Sequence, residues 1–142
     1  MQFTSNAEQA VAAGGSVVFD GNGCNCNRCR NVIHRPGSGV FTLRGGLKYR
    51  VEFDANMALA EGATVGPIAL ALAINGAAIP ATRSIATPAA AGDYFRASIS
   101  YTFSVPCGCC QNVSIQNVLP DADPATVAVP LTVQNAVIDF DF

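Results

Sequence analysis

Residues 66–80, GPIALALAINGAAIP, constrain this 142-residue chain more than any other stretch. Ile68, Leu70, Leu72 and Ile74 share one parity, and Ala69, Ala71 and Ala73 share the other. Strict alternation predicts a strand, and Asn75-Gly76 is the dipeptide favoured in two-residue hairpin turns. A strand with one solvated face carries polar residues at alternate positions. Here both faces are apolar, so the large side chains can fill a core while the alanine face is left smooth and dry. Two coverings would satisfy that face: a central position within one domain, or another subunit. The second is the expectation, which makes Ala69, Ala71 and Ala73 a candidate interface with another subunit.

Composition bounds the rest. The length fits one domain with its own core, taken as residues 1–142, with 1–14 an N-terminal arm or first strand. Half of the residues are hydrophobic and only 13% are charged, which is low for a soluble monomer and favours a chain that buries surface against others. Thirteen glycines and eight prolines are spread along the sequence, as short strands joined by turns require. No apolar run reaches the length of a membrane-spanning helix. A net charge of −2 gives no general reason to bind nucleic acid. The charge is uneven: Arg28, Arg30, Arg35, Arg44, Lys48 and Arg50 lie in the first fifty residues, and Asp121, Asp123, Asp139 and Asp141 close the chain. The opening MQFTSNAEQ has neither a basic nor an apolar signal region, so synthesis and first folding in the cytoplasm are expected.

Alternation continues elsewhere. Tyr49, Val51, Phe53, Ala55, Met57 and Leu59 alternate with Arg50, Glu52, Asp54 and Asn56, a strand with one buried face. Short strands are expected at 9–13, 16–20 and 40–43, and residues 21–39 read as a cysteine-rich loop. Ala77–Ile85 reads as a weak return strand made irregular by Pro80. Ile99, Tyr101, Phe103 and Val105 form another alternating set, and Val113 with Ile115 a further one. Val127, Val129, Leu131 and Val133 occupy odd positions, whereas Ile138, Phe140 and Phe142 occupy even ones. A parity switch within one strand needs an extra residue, which predicts a bulge near Asn135-Ala136. No ten-residue stretch has helical periodicity. Eight to ten strands at turn spacings of 8–12 residues predict an all-β, antiparallel sandwich or barrel.

The pieces FTLRGGLKYRVEFDANM, IALALAINGAAIP, FRASISYTFSVP, VSIQNV and LTVQNAVIDFDF, in that order, resemble the jelly roll of tumour necrosis factor ligands, complement globular heads and bacterial spore-surface hair tips. The resemblance covers roughly residues 15–142. It implies a single-domain antiparallel jelly-roll sandwich and a tight homotrimer around a threefold axis. The chain departs from that family in its two cysteine clusters and in having no collagen-like stalk. More loosely, GCNCNRC and VPCGCC resemble segments of small prophage-encoded proteins.

The cysteines are the one constellation that carries chemistry. Cys24, Cys26 and Cys29 form C-x-C-x2-C, and Cys107, Cys109 and Cys110 form C-x-C-C. Three plus three suggests that the loops meet. Disulfides are the first reading, since six cysteines can pair completely. Zinc held by these thiolates with His34 is the second, against which the spacing lacks paired C-x2-C knuckles. Free thiols acting as small hydrophobes are the third. A Cys–His catalytic pair would rest on His34 alone, the sole histidine. Asn112-Val113-Ser114 matches a glycosylation pattern but lies in an expected strand. Arg28–Arg35 reads as a solvated loop or an intersubunit ion-pairing segment. Asp121 with Asp123 reads as solvated rather than calcium-binding.

These readings lead to a non-enzymatic structural protein with no cofactor. Its expected partners are itself, as a homotrimer, and other particle or capsid proteins, with neither nucleic acid nor membrane. The particle expected is a phage virion assembled in the host bacterial cytoplasm, with the chain as capsid decoration, head fibre or tail component. The alternative is a trimeric tip domain that binds a receptor or cell-surface glycan, displayed on a bacterial cell or spore surface.

Overall fold

The computed structural model of the chain describes residues 1–21, 31–121 and 128–142. Eleven strands run in chain order among these residues: β1 (Gln2–Ser5), β2 (Gln9–Val11), β3 (Val32–His34), β4 (Phe41–Arg44), β5 (Leu47–Leu59), β6 (Ile68–Ile74), β7 (Ala77–Ala78), β8 (Ser84–Ala86), β9 (Phe95–Val105), β10 (Cys110–Val118) and β11 (Leu131–Asp141). One 3-10 turn, Pro80–Thr82, separates β7 from β8, and none of the described residues forms an α-helix. No helix is long and apolar enough to cross a membrane.

The strands form two antiparallel sheets packed as a jelly-roll sandwich. The first has the order β1-β11-β5-β9, with β2 also on β11. The second has the order β3-β4-β10-β6-β7, with β8 beside β6. Between them lie the inward-facing sets: Tyr49, Val51 and Phe53 from β5, Leu70 and Leu72 from β6, and Ile138 and Phe140 from β11, all fully buried. Aromatic rings knit the layers at one end. Phe41 lies 4.9 Å from Phe3, 5.3 Å from Phe19 and 5.0 Å from Phe140 between centroids, distances at which ring pairs attract beyond simple burial.

Local chemistry accounts for the turns. Asn75 and Gly76 both have positive φ, 51° and 81°, as a type I′ hairpin demands. The expected bulge is present: the β11–β5 register slips between Gln134 and Val137, and Asn135 takes φ 53°. That extra residue keeps both Val133 and Ile138 in the core. The weak return strand breaks up as Pro80 suggested, and its gap is bridged by a side chain. Leu72 N–H donates to Thr82 Oγ1 at 2.9 Å, and the Thr82 hydroxyl donates to Ile79 O at 2.7 Å.

One strand was not expected: β3 falls inside the stretch read as loop 21–39, whereas β1, at the edge beside β11, lies in the stretch read as an N-terminal arm or first strand. Conversely, residues 16–20 pair only through isolated bridges at Ser16 and Phe19, although Val17 and Phe19 are fully buried. Asn117 ties these pieces together from inside. Its amide donates to Val129 O at 2.7 Å and to Val11 O and Ala12 O at 3.3 Å each.

Candidate functional site

The alanine face of β6 points outward from the second sheet, yet Ala69, Ala71 and Ala73 are each fully buried within the single chain. Val118, Gln116 and Ser114 of β10 stand opposite them on one side, and Ile85 and Ala78 opposite Ala69 and Ala73 on the other. Gln116, Val118 and Ile85 rise above the alanines they flank, leaving a furrow, and all three methyl groups are already out of solvent in one chain. The expectation that another subunit must cover them therefore loses its premise. What distinguishes this sheet is neutrality. Arg44 is the one residue among Asp, Glu, Lys and Arg on its six strands, whereas the first sheet presents Lys48, Arg50, Glu52, Asp54, Arg96 and Asp139. A shallow cleft of about 420 Å³ lies over the furrow, lined in part by Ala78, Pro80, Arg83, Gln116 and Val118.

The second cysteine cluster occupies the turn from β9 to β10. Cys109 N–H donates to Pro106 O at 3.3 Å, closing the turn. Gly45 is pressed so closely against the carbonyls of Pro106 and Cys109 that any side chain there would collide with them. Cys107, Cys109 and Cys110 are free and exposed, so the disulfide reading finds no bond among the described cysteines. Cys24, Cys26 and Cys29, with Arg28 and Arg30, lie outside the described residues, as does Asp123. The described residues contain no group of three or more His, Cys, Asp or Glu able to hold a metal.

His34 sits apart from the second cysteine cluster. Its ring stacks on Phe41 at 4.4 Å and meets Phe3 edge-on at 5.1 Å, and its Nε2 lies 2.8 Å from Ser38 O. Phe41, its register partner, is three residues from Arg44, the partner of Cys110, or roughly 10 Å along β4. The zinc set of His34 with Cys107, Cys109 and Cys110 is thus not brought together. Asn31, two residues beyond Cys29, is anchored in this region. Its carbonyl accepts Arg44 N–H at 2.9 Å and the Tyr49 hydroxyl at 3.0 Å. The Tyr49 hydroxyl also reaches Arg44 O at 2.9 Å, and burial pushes its pKa above the usual tyrosine range. Asn112 of the glycosylation pattern lies within β10, its Oδ1 accepting the Thr42 hydroxyl at 2.9 Å.

Two further surfaces carry no strong sequence signal. One is the outer edge of β9. Its inner edge pairs with β5 continuously from Leu47↔Val105 to Met57↔Phe95. On the outer side, Ser98 N–H donates to the Ser84 hydroxyl at 3.2 Å, and β8 and the 3-10 turn lie against β9. Beyond Ser98 no other strand pairs with that edge among the described residues. Tyr101 and Phe103 are half-buried there. They continue an aromatic row through Tyr49 to Phe142, with centroid separations of 6.0, 6.2 and 5.7 Å. Phe142 is 52% exposed.

The other is a cleft of about 500 Å³ where three loops meet the first sheet. Gly92 N–H bonds to Leu59 O at 3.3 Å, so the 87–94 loop lies over the end of β5 and Ala58, although outward-facing, is fully buried. Ala58 and Thr132 line the cleft together with Glu8, Glu61 and Tyr94. The Tyr94 hydroxyl donates to Glu8 Oε2 at 3.3 Å. Burial, followed by the Glu8 charge, raises the Tyr94 pKa.

No family model matches the chain, and no curated protein matches it. Among solved structures, it is similar to the globular domain of zebrafish complement 1qA protein, with a TM-score of 0.57 and 15% identity over 98% of this chain and 92% of that one. This likeness shows the fold, a jelly roll of the complement-head kind. Two others are more distant. The C-terminal domain of EclA, a sugar-binding protein, has a TM-score of 0.38 and 12% identity over 83% of this chain and 90% of that one. The xylan-binding domain of Paenibacillus barcinonensis Xyn10C has a TM-score of 0.37 and 12% identity over 99% and 92%. At those scores neither carries an argument.

Proposed function

We propose that the chain is a non-enzymatic structural protein that assembles as a homotrimer and decorates or builds a larger particle, a phage virion foremost. The observation that carries the self-association is the outer edge of β9. An unpaired edge beside half-buried aromatic side chains is a template for contact with another chain, and monomeric proteins usually guard such edges with charge, proline or bulges. From Ser98 to Val105 the strand has none of these. A threefold contact is heterologous, so Tyr101, Phe103 and Phe142 of one subunit meet a different patch on the next. The neutral outer face of the second sheet, with Ala69, Ala71 and Ala73 as its floor, is then the second surface available for contact.

The non-enzymatic reading is supported by His34, whose ring stacks on Phe41 and meets Phe3, apart from the described thiols of Cys107, Cys109 and Cys110. The particle reading rests on the sequence: few charges, and cysteine motifs resembling those of prophage-encoded proteins. Labelling intact particles released by cells that carry the gene, with antibody against the chain, tests it. Decoration of the particle surface in clusters of three copies is expected. A chain found only in the particle-free fraction contradicts the reading. The alternative, a glycan-binding tip, is favoured by the Glu8–Glu61–Tyr94 cleft.

A further inference from the structure

We propose that the cleft formed by Glu8, Glu61 and Tyr94 binds one residue of a neutral sugar. This inference rests on the tip-domain alternative and not on the trimer, since every lining residue belongs to a single chain.

The lining selects by chemistry. Among the described residues no Lys, Arg or His lines the cleft, and two carboxylates do, so an anionic ligand is repelled. A divalent cation is poorly served as well, because the described residues bring together no third metal-ligating side chain. Carboxylates accept several hydrogen bonds each, and the hydroxyls of Thr132 and Tyr94 both donate and accept. A ligand that suits this set offers many donors without charge. Tyr94 adds the second requirement. Its ring is 40% exposed beside the carboxylates, held by the hydroxyl's bond to Glu8, and a flat aromatic surface complements the C–H face of a pyranose. Glu61 makes no hydrogen bond or ion pair among the described residues, so its carboxylate is available to ligand hydroxyls. The buried Ala58 methyl lies at the base of the cleft, so its floor is apolar.

Saturation-transfer NMR on the full chain tests this, with methyl glucoside, methyl galactoside, methyl mannoside and N-acetylglucosamine as separate probes. At least one should give saturable transfer, and glucuronate should bind more weakly than methyl glucoside. Tyr94→Ala should abolish the transfer. Glu61→Gln, which keeps the shape and removes the charge, should weaken it about tenfold, as loss of a hydrogen bond to a charged group does. Both positions are exposed, so circular dichroism and light-scattering mass should match wild type and show that neither fold nor assembly has changed. No transfer from any of the four probes overturns the proposal. So does transfer that Tyr94→Ala leaves intact, or displacement of the sugar by calcium or by lysine methyl ester at lower concentration. A wild-type chain that weighs as a monomer yet binds sugar would overturn the trimer alone.

Discussion

Asn117 carries more of the architecture than any other polar side chain in the interior. Its amide fastens the N-terminal arm and the approach to β11 onto β10, all from a nearly fully buried position. Replacing it with leucine strands three carbonyls without their donor. A loss of roughly 1–3 kcal/mol in urea unfolding is expected, larger than for Gln116→Leu on the same strand. Tyr49 is the corresponding case at the cysteine end. Its folded pKa lies above the model-compound value of 10.0, so the stability it contributes is whole below about pH 10 and is lost as pH rises through the raised value. Wild type should therefore weaken above pH 10 in thermal melts. Tyr49→Phe should start less stable, having lost its bonds to Asn31 and Arg44, but should show a shallower alkaline decline. The alanines of β6 show how one residue type misleads. Their identity was legible, but whether they are covered depends on the height of side chains on β10, β7 and β8, which alternation in β6 does not report. For that reason Ala71→Glu would test the packing of one chain before it tested any assembly.

Long alternating elements were legible because the two faces of a strand impose period two over many residues, apolar against polar in β5, β9 and β11 and large against small in β6. β5, β6, β9 and the bulged β11 all follow from that rule, and Asn135 follows from the arithmetic of parity. β3 was not legible and β1 was legible only as an arm or first strand, because three and four residues give too few periods to distinguish from loop. The outer edge of β9 makes a prediction of its own. Ser98 N–H points away from β5, so residues of the same parity, Thr102 among them, direct their N–H groups outward. Proline is tolerated at edge positions of this kind. Thr102→Pro should keep the β-type circular dichroism spectrum and melt within a few degrees of wild type, whereas Tyr101→Pro, whose N–H faces β5, should unfold the sheet. At the cysteine turn, the anchoring of Asn31 to Arg44 leads us to propose that the two cysteine clusters are neighbours. Peptide mapping under non-reducing conditions should recover a link between residues 24–29 and 107–110 after oxidation. Links confined within each cluster would remove that proposal.

At the scale of the whole molecule, the two sheets differ in what they show to the outside. One is charged and the other nearly neutral, and among the described residues no strand pairs with the outer edge of β9 from Ser98 to Val105. The fold class was legible, since so many short alternating strands leave a sandwich or a barrel, and the resemblance selected the jelly-roll sandwich. The sites were much less so. Glu8, Glu61 and Tyr94 come from three loops more than thirty residues apart in sequence, and no local pattern joins them. Tyr101 and Phe103 share a parity with core residues and pack against the core, and that they are only half-buried follows from their place on a strand with no outer partner among the described residues. The central claim is that this edge holds subunits together. Static light scattering on the purified chain at micromolar concentration tests it most directly, with Phe142→Glu alongside because that ring is exposed and its loss spares the core. The account predicts a mass of three chains for wild type and a shift toward one chain for the variant. A wild-type protein that weighs one chain would contradict it.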